Sequence, residues 1–349
     1  MNTLEIIKPD DWHVHFREGD FIKSLVPETS KLYNRAIVMP NLSNPITTIL
    51  QIKKYKNEIL NNSKNKNFKP LMTFYLTENL DVNELINASK NNLVFAVKLY
   101  PSGATTNSAK GVKNFKNIFP ILKKMTDNNI PLLIHGEVNE RKIDIFDREK
   151  VFIENELIPI IKAFPDLKIT LEHITTRFAV DFVETSNSNI KASITPHHLI
   201  LNRTDLLEHK IKPHYYCLPI LKKEQDRKSL VEAATSGSQN FFLGTDSAPH
   251  HIDDKESECG CAGVFNTINS IQMITQIFDN ENKLNNLENF LSINGPNHYS
   301  IPQNKDKIIL NRLSKPLKFK EYLENNGVKI KIFNPPFPIY WDINKERTS

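Results

Sequence analysis

Eight short apolar runs recur along the chain, each separated from the next by a longer amphipathic stretch, and this alternation restricts the folds that are open to it. The runs are rich in Val, Ile, Leu and Phe without polar alternation, which is typical of parallel strands covered on both faces. Eight such strands alternating with helices predict a (β/α)8 TIM barrel of the α/β class. The predicted strands are 10–15, 35–39, 71–76, 93–99, 131–135, 168–173, 190–195 and 240–245.

The amphipathic stretches predict helices, and the alternation ends near residue 280. One helix start carries a capping pattern, in which Asp81 is followed three residues later by Glu84. A chain of 349 residues suits a single barrel with additions. We therefore expect one domain over 1–349, with 280–349 as a C-terminal extension packed on the barrel. The predicted helices lie near 20–33, 46–61, 80–90, 114–128, 148–164, 175–188, 222–237 and 263–278.

Composition argues against several classes of function. The net charge is +5, from 45 basic and 40 acidic residues, and the lysines are scattered, so we expect no nucleic-acid partner. We find no apolar run of about 18 residues and no secretory signal in the first ~20, so we expect no membrane association. The three cysteines, Cys217, Cys259 and Cys261, are sparse and odd in number, which indicates a cytoplasmic protein. Cys259 and Cys261 suggest a metal clip, but no second cysteine pair follows them.

Residues suited to holding metal ions stand at or just past the ends of five of the predicted strands. Because parallel barrel strands end on one rim, these side chains are expected to converge there. Imidazoles and carboxylate-like oxygens are ligands that Zn²⁺ accepts. The candidate ligands are His13, His15, Lys98, His135, His173 and Asp246.

Each candidate has an ordinary structural interpretation when it is taken alone. His13 and His15 are two apart, so they leave the same face of a strand, but this spacing is weak evidence for a metal. Lys98 could extend its amine to water, or a buried, neutral amine could react with carbon dioxide to form a carbamate that bridges two ions. Asp246 could cap the turn that follows it. Together, the five coincidences at strand ends favour a two-metal hydrolytic site.

Several longer motifs resemble segments of the amidohydrolase superfamily, and within it the single-domain (class II) dihydroorotase family. The resemblance runs from about residue 8 to about residue 300, and the last ~50 residues match less clearly. The motifs are Pro9-Asp-Asp-Trp-His-Val-His-Phe-Arg17, Ala36-Ile-Val-Met-Pro-Asn41, Lys98-Leu-Tyr-Pro101, His135-Gly-Glu-Val138, Ile145-Phe-Asp-Arg-Glu149, Glu172-His-Ile-Thr-Thr176, Tyr216-Cys-Leu-Pro-Ile-Leu221, Gly244-Thr-Asp-Ser-Ala-Pro-His250 and Cys259-Gly-Cys-Ala-Gly263.

The resemblance implies a metal centre of two Zn²⁺ per subunit. One ion is held at positions corresponding to His13, His15 and Asp246, and the second at those of His135 and His173. A carbamylated Lys98 (N6-carboxylysine) and a hydroxide bridge the two ions.

The resemblance also implies the reaction, which is the reversible cyclisation of N-carbamoyl-L-aspartate to L-dihydroorotate and water in de novo pyrimidine (UMP) biosynthesis. Asp246 acts in it as general base and then acid. The loop Pro101–Asn107 is implied to be a mobile lid whose Thr105 and Thr106 reach the substrate. The substrate carboxylate is assigned to Arg17, Asn41 and His250, and further substrate contacts to His15, His135, Leu218 and Ala262.

Other interpretations remain open from the residues alone. Arg17 could form a surface ion pair with Glu18 or Asp20, and Pro101–Asn107 could be an ordinary βα loop. His197 and His198 could support the ligands, although packing is the simpler explanation. The chain could be another cyclic amidase, such as a hydantoin or allantoin hydrolase, or a scaffolding subunit without chemistry. A homodimer in the cytoplasm, acting on a small molecule, is what the resemblance implies.

Overall fold

The computed structural model describes residues 2–258 and 260–343. Strands in this part of the chain alternate with helices for most of its length. In chain order they are β1 (Thr3–Ile7), β2 (Asp11–Val14), β3 (Arg35–Val38), β4 (Lys69–Tyr75), β5 (Ala96–Leu99), β6 (Leu132–His135), β7 (Ile169–Glu172), β8 (Ile190–Ile194), β9 (Phe241–Leu243), β10 (Lys307–Arg312), β11 (Tyr322–Asn325), β12 (Val328–Lys331) and β13 (Trp341–Ile343).

The α-helices occupy the stretches between the strands and continue beyond the last barrel strand. They are α1 (Asp20–Leu32), α2 (Ile49–Asn62), α3 (Val82–Lys90), α4 (Phe119–Asp127), α5 (Arg148–Phe152), α6 (Ile158–Ala163), α7 (Arg177–Thr185), α8 (Pro196–Ile200), α9 (Arg203–Leu207), α10 (Glu224–Thr235), α11 (Ile252–Lys255), α12 (Ser270–Asn280) and α13 (Asn294–Tyr299). In the part of the chain described here, no helix combines the length and the apolar character that crossing a bilayer requires.

Strands β2 to β9 form one eight-stranded sheet in sequential order, and every neighbouring pair is parallel. The sheet closes where the end of β2 meets the segment that follows β9. The backbone N–H of His15 donates to the carbonyl of Ser247 at 3.1 Å, and that of Asp246 donates to the carbonyl of His13 at 2.9 Å. The predicted (β/α)8 barrel is confirmed, and each of the eight predicted strands overlaps an observed one.

Helices α2 and α3 begin with side-chain caps. The side chain of Thr48 accepts from the backbone N–H of Gln51, whose side chain reaches back to Thr48, which makes a capping box at α2. Asp81 caps α3 as the sequence predicts, accepting from the N–H groups of Asn83 and Glu84. The Glu84 side chain does not complete a box, because it accepts from the backbone N–H of Ile49 at 2.6 Å.

Three predicted helices differ from the observed ones in their details. The helix predicted at 148–164 contains a π-helical turn, Ile153–Leu157, between α5 and α6. The helix predicted at 114–128 begins as a 3-10 turn, Phe115–Ile118, and the helix predicted at 263–278 begins only with a 3-10 turn at Thr267. Tertiary contacts decide such local geometry, and hydrophobic spacing carries no information about it.

The barrel interior has an apolar floor beneath the rim. Trp12, Ala96, Leu133 and Phe242 belong to one buried cluster that Tyr299 of α13 joins from below. Alternate residues of a strand share a face, so the residues two positions further along β5 and β6 lie on the inner face, nearer the rim. Those residues are Lys98 and His135, so their polar side chains lie between the apolar cluster and the rim of the barrel.

The two ends of the chain meet beside the barrel. Strand β1 pairs antiparallel with β10, and β10 pairs antiparallel with β13. Trp341 is buried and its indole N–H donates to Asp279 at 3.1 Å, while the backbone N–H of Phe333 donates to the carbonyl of Phe265 at 2.7 Å. This small sheet and its contacts were not part of the sequence prediction.

Candidate active site

The candidate residues from eight separate segments come together at the carboxyl end of the barrel. They surround one small pocket. Two candidates do not line the pocket: Lys98 is fully buried against Glu172, and His250 lies next to Arg17. The predicted residues that line the pocket are His13, His15, Arg17, Asn41, Thr105, Thr106, His135, His173, Leu218, Asp246 and Ala262.

Three of the predicted ligands form a compact, buried triangle. The Nε2 atoms of His13 and His15 are 3.2 Å apart, and each lies 3.2 Å from Oδ1 of Asp246. Barrel closure creates this cluster, because Asp246 is brought to the end of β2 by its backbone bond to His13. One cation could contact all three atoms at once.

The other two histidines lie beside this triangle. The ring centroids of His135 and His173 are 4.8 Å apart, and those of His13 and His173 are 5.2 Å apart. The buried Nδ1 atom of His173 has no hydrogen-bond partner among the described residues. A buried imidazole nitrogen without a partner is costly in an apolar environment, and a metal ion would satisfy it.

Electrostatics keeps these groups in the protonation states that a metal requires. Burial lowers the pKa of His15 to about 4, and burial together with His135 lowers the pKa of His173 well below its usual value. Burial alone would raise the pKa of Asp246, but the neighbouring His13 and His15 hold it well below its usual range. The lowered pKa values of His15 and His173 favour neutral imidazoles, and these together with an ionised Asp246 fit a site for divalent ions such as Zn²⁺.

Lys98 is fully buried, and its amine contacts the carboxylate of Glu172. The other carboxylate oxygen of Glu172 lies 3.0 Å from Nδ1 of His13, but the two atoms do not have hydrogen-bond geometry. The Lys98 Nζ atom also lies 4.8 Å from the ring centroid of Tyr100. Burial lowers the pKa of the Lys98 amine, and this favours the neutral form that carbamate formation needs.

Three residues of the site have left-handed backbone conformations, which residues other than glycine rarely adopt. The φ angles are 57° for Arg17, 43° for His173 and 43° for Asp246. Such strain persists only where contacts with the surrounding structure hold the backbone in place, and strained residues concentrate at functional sites. At His173 the contacts include the buried carboxylate of Glu149, which accepts from the N–H and hydroxyl groups of both Thr175 and Thr176.

Sequence reasoning missed three acidic residues that support the histidines. Glu172 contacts Lys98 and His13, and Glu137 lies 3.0 Å from Nε2 of His135. Asp11 accepts from the backbone N–H groups of His13 and Thr245. A usable signal existed, since each is a carboxylate within two residues of a candidate ligand, and outer carboxylates commonly orient ligating histidines.

Arg17 faces the pocket and does not form the surface ion pair that was its alternative interpretation. Its Nε donates to the carbonyl of Pro249 at 3.0 Å, and its Nη2 lies 3.0 Å from Nε2 of His250. The same His250 nitrogen is 2.9 Å from the carbonyl oxygen of Ala262. These contacts place the Arg17 guanidinium at the pocket wall, where its N–H groups can bind a carboxylate.

The loop Pro101–Asn107 folds over the pocket. Asn41 Nδ2 donates to the carbonyl of Thr106 at 3.1 Å, and Asn107 Nδ2 donates to the carbonyl of Asn41 at 3.1 Å. The two bonds are reciprocal, so they attach the loop to the segment after β3. They also place Thr105 and Thr106 on the pocket surface.

Two neighbouring histidines and a cysteine stand next to the pocket. His198 is held between the Thr195 hydroxyl at 2.7 Å and the carbonyl of Pro219 at 2.9 Å. His197 Nδ1 accepts from Asn266, and Cys217 lines the pocket beside Leu218. Both histidines are buried, and His198 has a backbone or hydroxyl partner at each ring nitrogen, as expected of a packing role. Cys259, named above in a metal-clip pattern, lies outside the described residues.

Comparisons with known sequences agree with the resemblance seen in the motifs. Residues 6–309 match the Amidohydrolase family. A dihydroorotase of Agrobacterium fabrum is 46% identical over 345 residues, covering 99% of this chain and all of that protein. A dihydroorotase of Aliivibrio fischeri is 51% identical over 310 residues, covering 89% of this chain and 91% of that protein.

Solved structures give the same result. A dihydroorotase from Saccharomyces cerevisiae in complex with 5-fluoroorotic acid has a TM-score of 0.90 at 32% identity, covering 98% of both chains. The dihydroorotase from Campylobacter jejuni has a TM-score of 0.89 at 34% identity, covering 99% of this chain and 98% of the other. By sequence and by structure, the chain belongs to the amidohydrolase family and, within it, to the dihydroorotases.

Proposed function

We propose that this protein catalyses the reversible cyclisation of N-carbamoyl-L-aspartate to L-dihydroorotate and water in de novo pyrimidine biosynthesis. The observation that carries the proposal is the placement of five buried ligand-type side chains beside an arginine in one small pocket. Those ligand-type residues are His13, His15, His135, His173 and Asp246. The family membership supports the same reaction.

We propose two Zn²⁺ per subunit as the metals. His13, His15 and Asp246 would hold one ion, His135 and His173 would hold the other, and a carbamylated Lys98 would be a ligand of both. The unpartnered nitrogen of His173 and the buried amine of Lys98 support this assignment. Bound metal supplies Lewis acidity, which lowers the pKa of water and polarises an amide carbonyl.

Asp246 is proposed as the residue that moves the proton. Its carboxylate is ionised, because His13 and His15 hold its pKa well below the usual range. In the hydrolytic direction it would accept a proton from water and pass it to the amide nitrogen that leaves, and in synthesis the transfers run in reverse. Asp246 lines the pocket, and its left-handed backbone conformation is a kind of strain that concentrates at functional sites.

Arg17 is proposed to bind the substrate carboxylate, with Asn41 and His250 as further donors. The Arg17 guanidinium is already held by its hydrogen bond to the carbonyl of Pro249, so little conformational entropy is lost when the substrate binds. His15, His135 and backbone groups of Leu218 and Ala262 would contact the rest of the molecule. Closure of the loop carrying Thr105 and Thr106 would exclude water from the pocket.

A direct test compares turnover of dihydroorotate and hydantoin, each with and without a metal chelator. We expect dihydroorotate to be the better substrate and the chelator to abolish its turnover. Faster turnover of hydantoin would overturn the proposed substrate, and chelator-resistant turnover would overturn the metal centre.

We also propose that the protein acts as a cytoplasmic homodimer on its small-molecule substrate. The sparse cysteines support the location, and the family resemblance supports the dimer. Light scattering of the purified protein measures the mass directly, against 40.2 kDa for one chain. A mass of a single chain at assay concentration would contradict the dimer.

A further inference from the structure

Lys255 is a buried lysine at the end of α11 that the proposed reaction does not use. Only 3% of its surface is exposed, although it comes from a short helix between the pocket-lining residues Ala248 and Ala262. Its amine donates to three backbone carbonyls, those of Tyr216 at 3.0 Å, Cys261 at 2.6 Å and Gly263 at 2.9 Å. All three donor positions of an ammonium are therefore used by main-chain acceptors.

The three carbonyls belong to the two segments that form one wall of the pocket. Tyr216 stands two residues before Leu218, and Cys261 and Gly263 stand on either side of Ala262. The backbone N–H of Gly263 also donates to the carbonyl of Tyr216 at 2.9 Å, which joins the segments directly. Leu218 and Ala262 are the residues whose backbone groups we assign to the substrate.

The amine determines which way the backbone groups of this wall point. In a trans peptide the C=O and N–H groups point in opposite directions. When the carbonyl of Cys261 is bound to Lys255, the N–H of Ala262 must point away from the amine. Burial lowers the pKa of Lys255 to about 8, so the group is still mainly cationic at neutral pH, and its hydrogen bonds are charge-assisted.

We propose that Lys255 is a positioning residue that holds the segments Tyr216–Leu218 and Cys261–Gly263 in the geometry required for binding the substrate. This inference rests on the proposed function, because it concerns the contacts that Leu218 and Ala262 make with the ring. The three carbonyls that the Lys255 amine binds belong to Tyr216, Cys261 and Gly263, and none of these is a candidate metal ligand. The loss of Lys255 therefore alters substrate affinity more than the chemical step.

The test uses the full-length, metal-loaded protein with Lys255→Met, which keeps the length of the side chain and removes the donors. We expect KM for dihydroorotate to rise about tenfold or more while kcat changes less than about threefold, which is the pattern of lost ground-state positioning. Metal content should equal that of the unmodified protein. If this variant does not fold, the same measurements of KM, kcat and metal content are made on Lys255→Gln, which keeps two donors on a shorter side chain.

Lys222 offers a matched control. It is also a buried lysine, 4% exposed, and its amine donates to one backbone carbonyl, that of Ile220, at 2.8 Å. Lys222→Met should lower thermal stability while leaving KM close to the original value. Equal KM values for the Lys255 and Lys222 variants would overturn the inference, since general destabilisation would then explain both.

A second measurement separates this inference from the proposed reaction. Amide hydrogen exchange in Tyr216–Leu218 and Cys261–Gly263 should accelerate in Lys255→Met and not in Lys222→Met, whatever the substrate is. If the unmodified protein does not turn over dihydroorotate, the proposed function fails while faster exchange still supports the positioning role. Unchanged exchange in both segments would overturn the role of Lys255 even in an active dihydroorotase.

Discussion

The environment of Lys98 differs from that of an ordinary strand-end lysine. Its amine lies inside the barrel, next to Glu172 and above the apolar floor that includes Ala96 and Leu133. A charged amine in such a place loses hydration that one carboxylate partner only partly replaces. A buried lysine with a lowered pKa beside candidate metal ligands is suited to a modified, metal-bridging role.

Lys98→Ala is expected to abolish turnover and to lower the metal content, because the residue proposed to serve both ions is lost. Metal analysis by mass spectrometry and a dihydroorotate assay measure the two effects. Lys168→Ala is the control, since that lysine precedes β7 at the opposite end of the barrel and donates to Ser300. Full metal content in Lys98→Ala would remove the argument for a carbamate bridge.

The substitution Asp246→Asn keeps the size and shape of the side chain but removes the carboxylate that we propose as the proton carrier. We expect kcat to fall by about 100-fold or more, a typical size for losing general acid–base catalysis. Circular dichroism should show a retained fold, since the backbone bond between Asp246 and His13 does not involve the side chain. Substantial remaining turnover would mean that another group handles the proton.

Arg17→Ala is expected to raise KM by about tenfold or more with a smaller change in kcat, because a charged hydrogen bond to the substrate carboxylate is lost. Steady-state kinetics at several substrate concentrations separates the two constants. Arg177→Ala is a suitable control, because that arginine is exposed and its side chain pairs with Asp181 of its own helix. An unchanged KM would exclude Arg17 from the binding site.

Helix α13 closes the bottom of the barrel, and its packing depends on a glycine. A Cβ added at Gly295 would lie 2.0 Å from Nε1 of Trp12, and Trp12 stacks at 4.9 Å on Tyr299 from the same helix. The bottom of the barrel is the end that serves stability rather than chemistry. A change here should therefore affect the free energy of unfolding and spare the active site.

Gly295→Ala is expected to destabilise the protein by about 1–3 kcal/mol, the usual cost of overpacking a core, despite the better helix propensity of alanine. Chemical denaturation measures the change, and kcat per folded molecule should stay close to that of the unmodified protein. Asn297→Ala, at an exposed position of the same helix, controls for the gain in propensity. Equal stability of the two variants would contradict the packing argument.

The chain as a whole is tied together by contacts between its ends, which supports our proposal that residues 1–349 form one domain with 280–349 as its extension. Strand β1 precedes the barrel, yet its partner β10 follows it, so the terminal segments cannot be separated without breaking a sheet. Trp341 and Phe333 attach the same extension to α12 and to the segment before it.

Removing bound metal is expected to lower the melting temperature of the entire molecule. Ions that bind the folded state and not the unfolded chain add stability by mass action, and their removal leaves buried groups such as His173 Nδ1 without a partner. Differential scanning calorimetry with and without chelator, followed by addition of Zn²⁺, measures the shift and its reversal. A melting temperature that does not depend on the chelator would argue against a metal centre in the folded protein.

Local patterns in the chain were sufficient to predict the barrel. The apolar runs and their spacing predicted all eight barrel strands, because strands buried on both faces need continuous apolar side chains. The candidate ligands were recognisable for a related reason, since parallel strands end on one rim. Boundaries of helices such as α4 and α12 were less predictable, because packing at helix ends decides them.

Other features were decided only when distant parts of the chain came together. Glu172 acquires its partners Lys98 and His13 from other strands through the register and curvature of the barrel, which no spacing along the sequence encodes. The pairing of β1 with β10 joins residues about 300 apart, and the three carbonyls of Lys255 come from two loops. Hydrophobic periodicity reports which face of an element is buried. The groups that meet on that face depend on the closed barrel, because the closed barrel sets the distances between them.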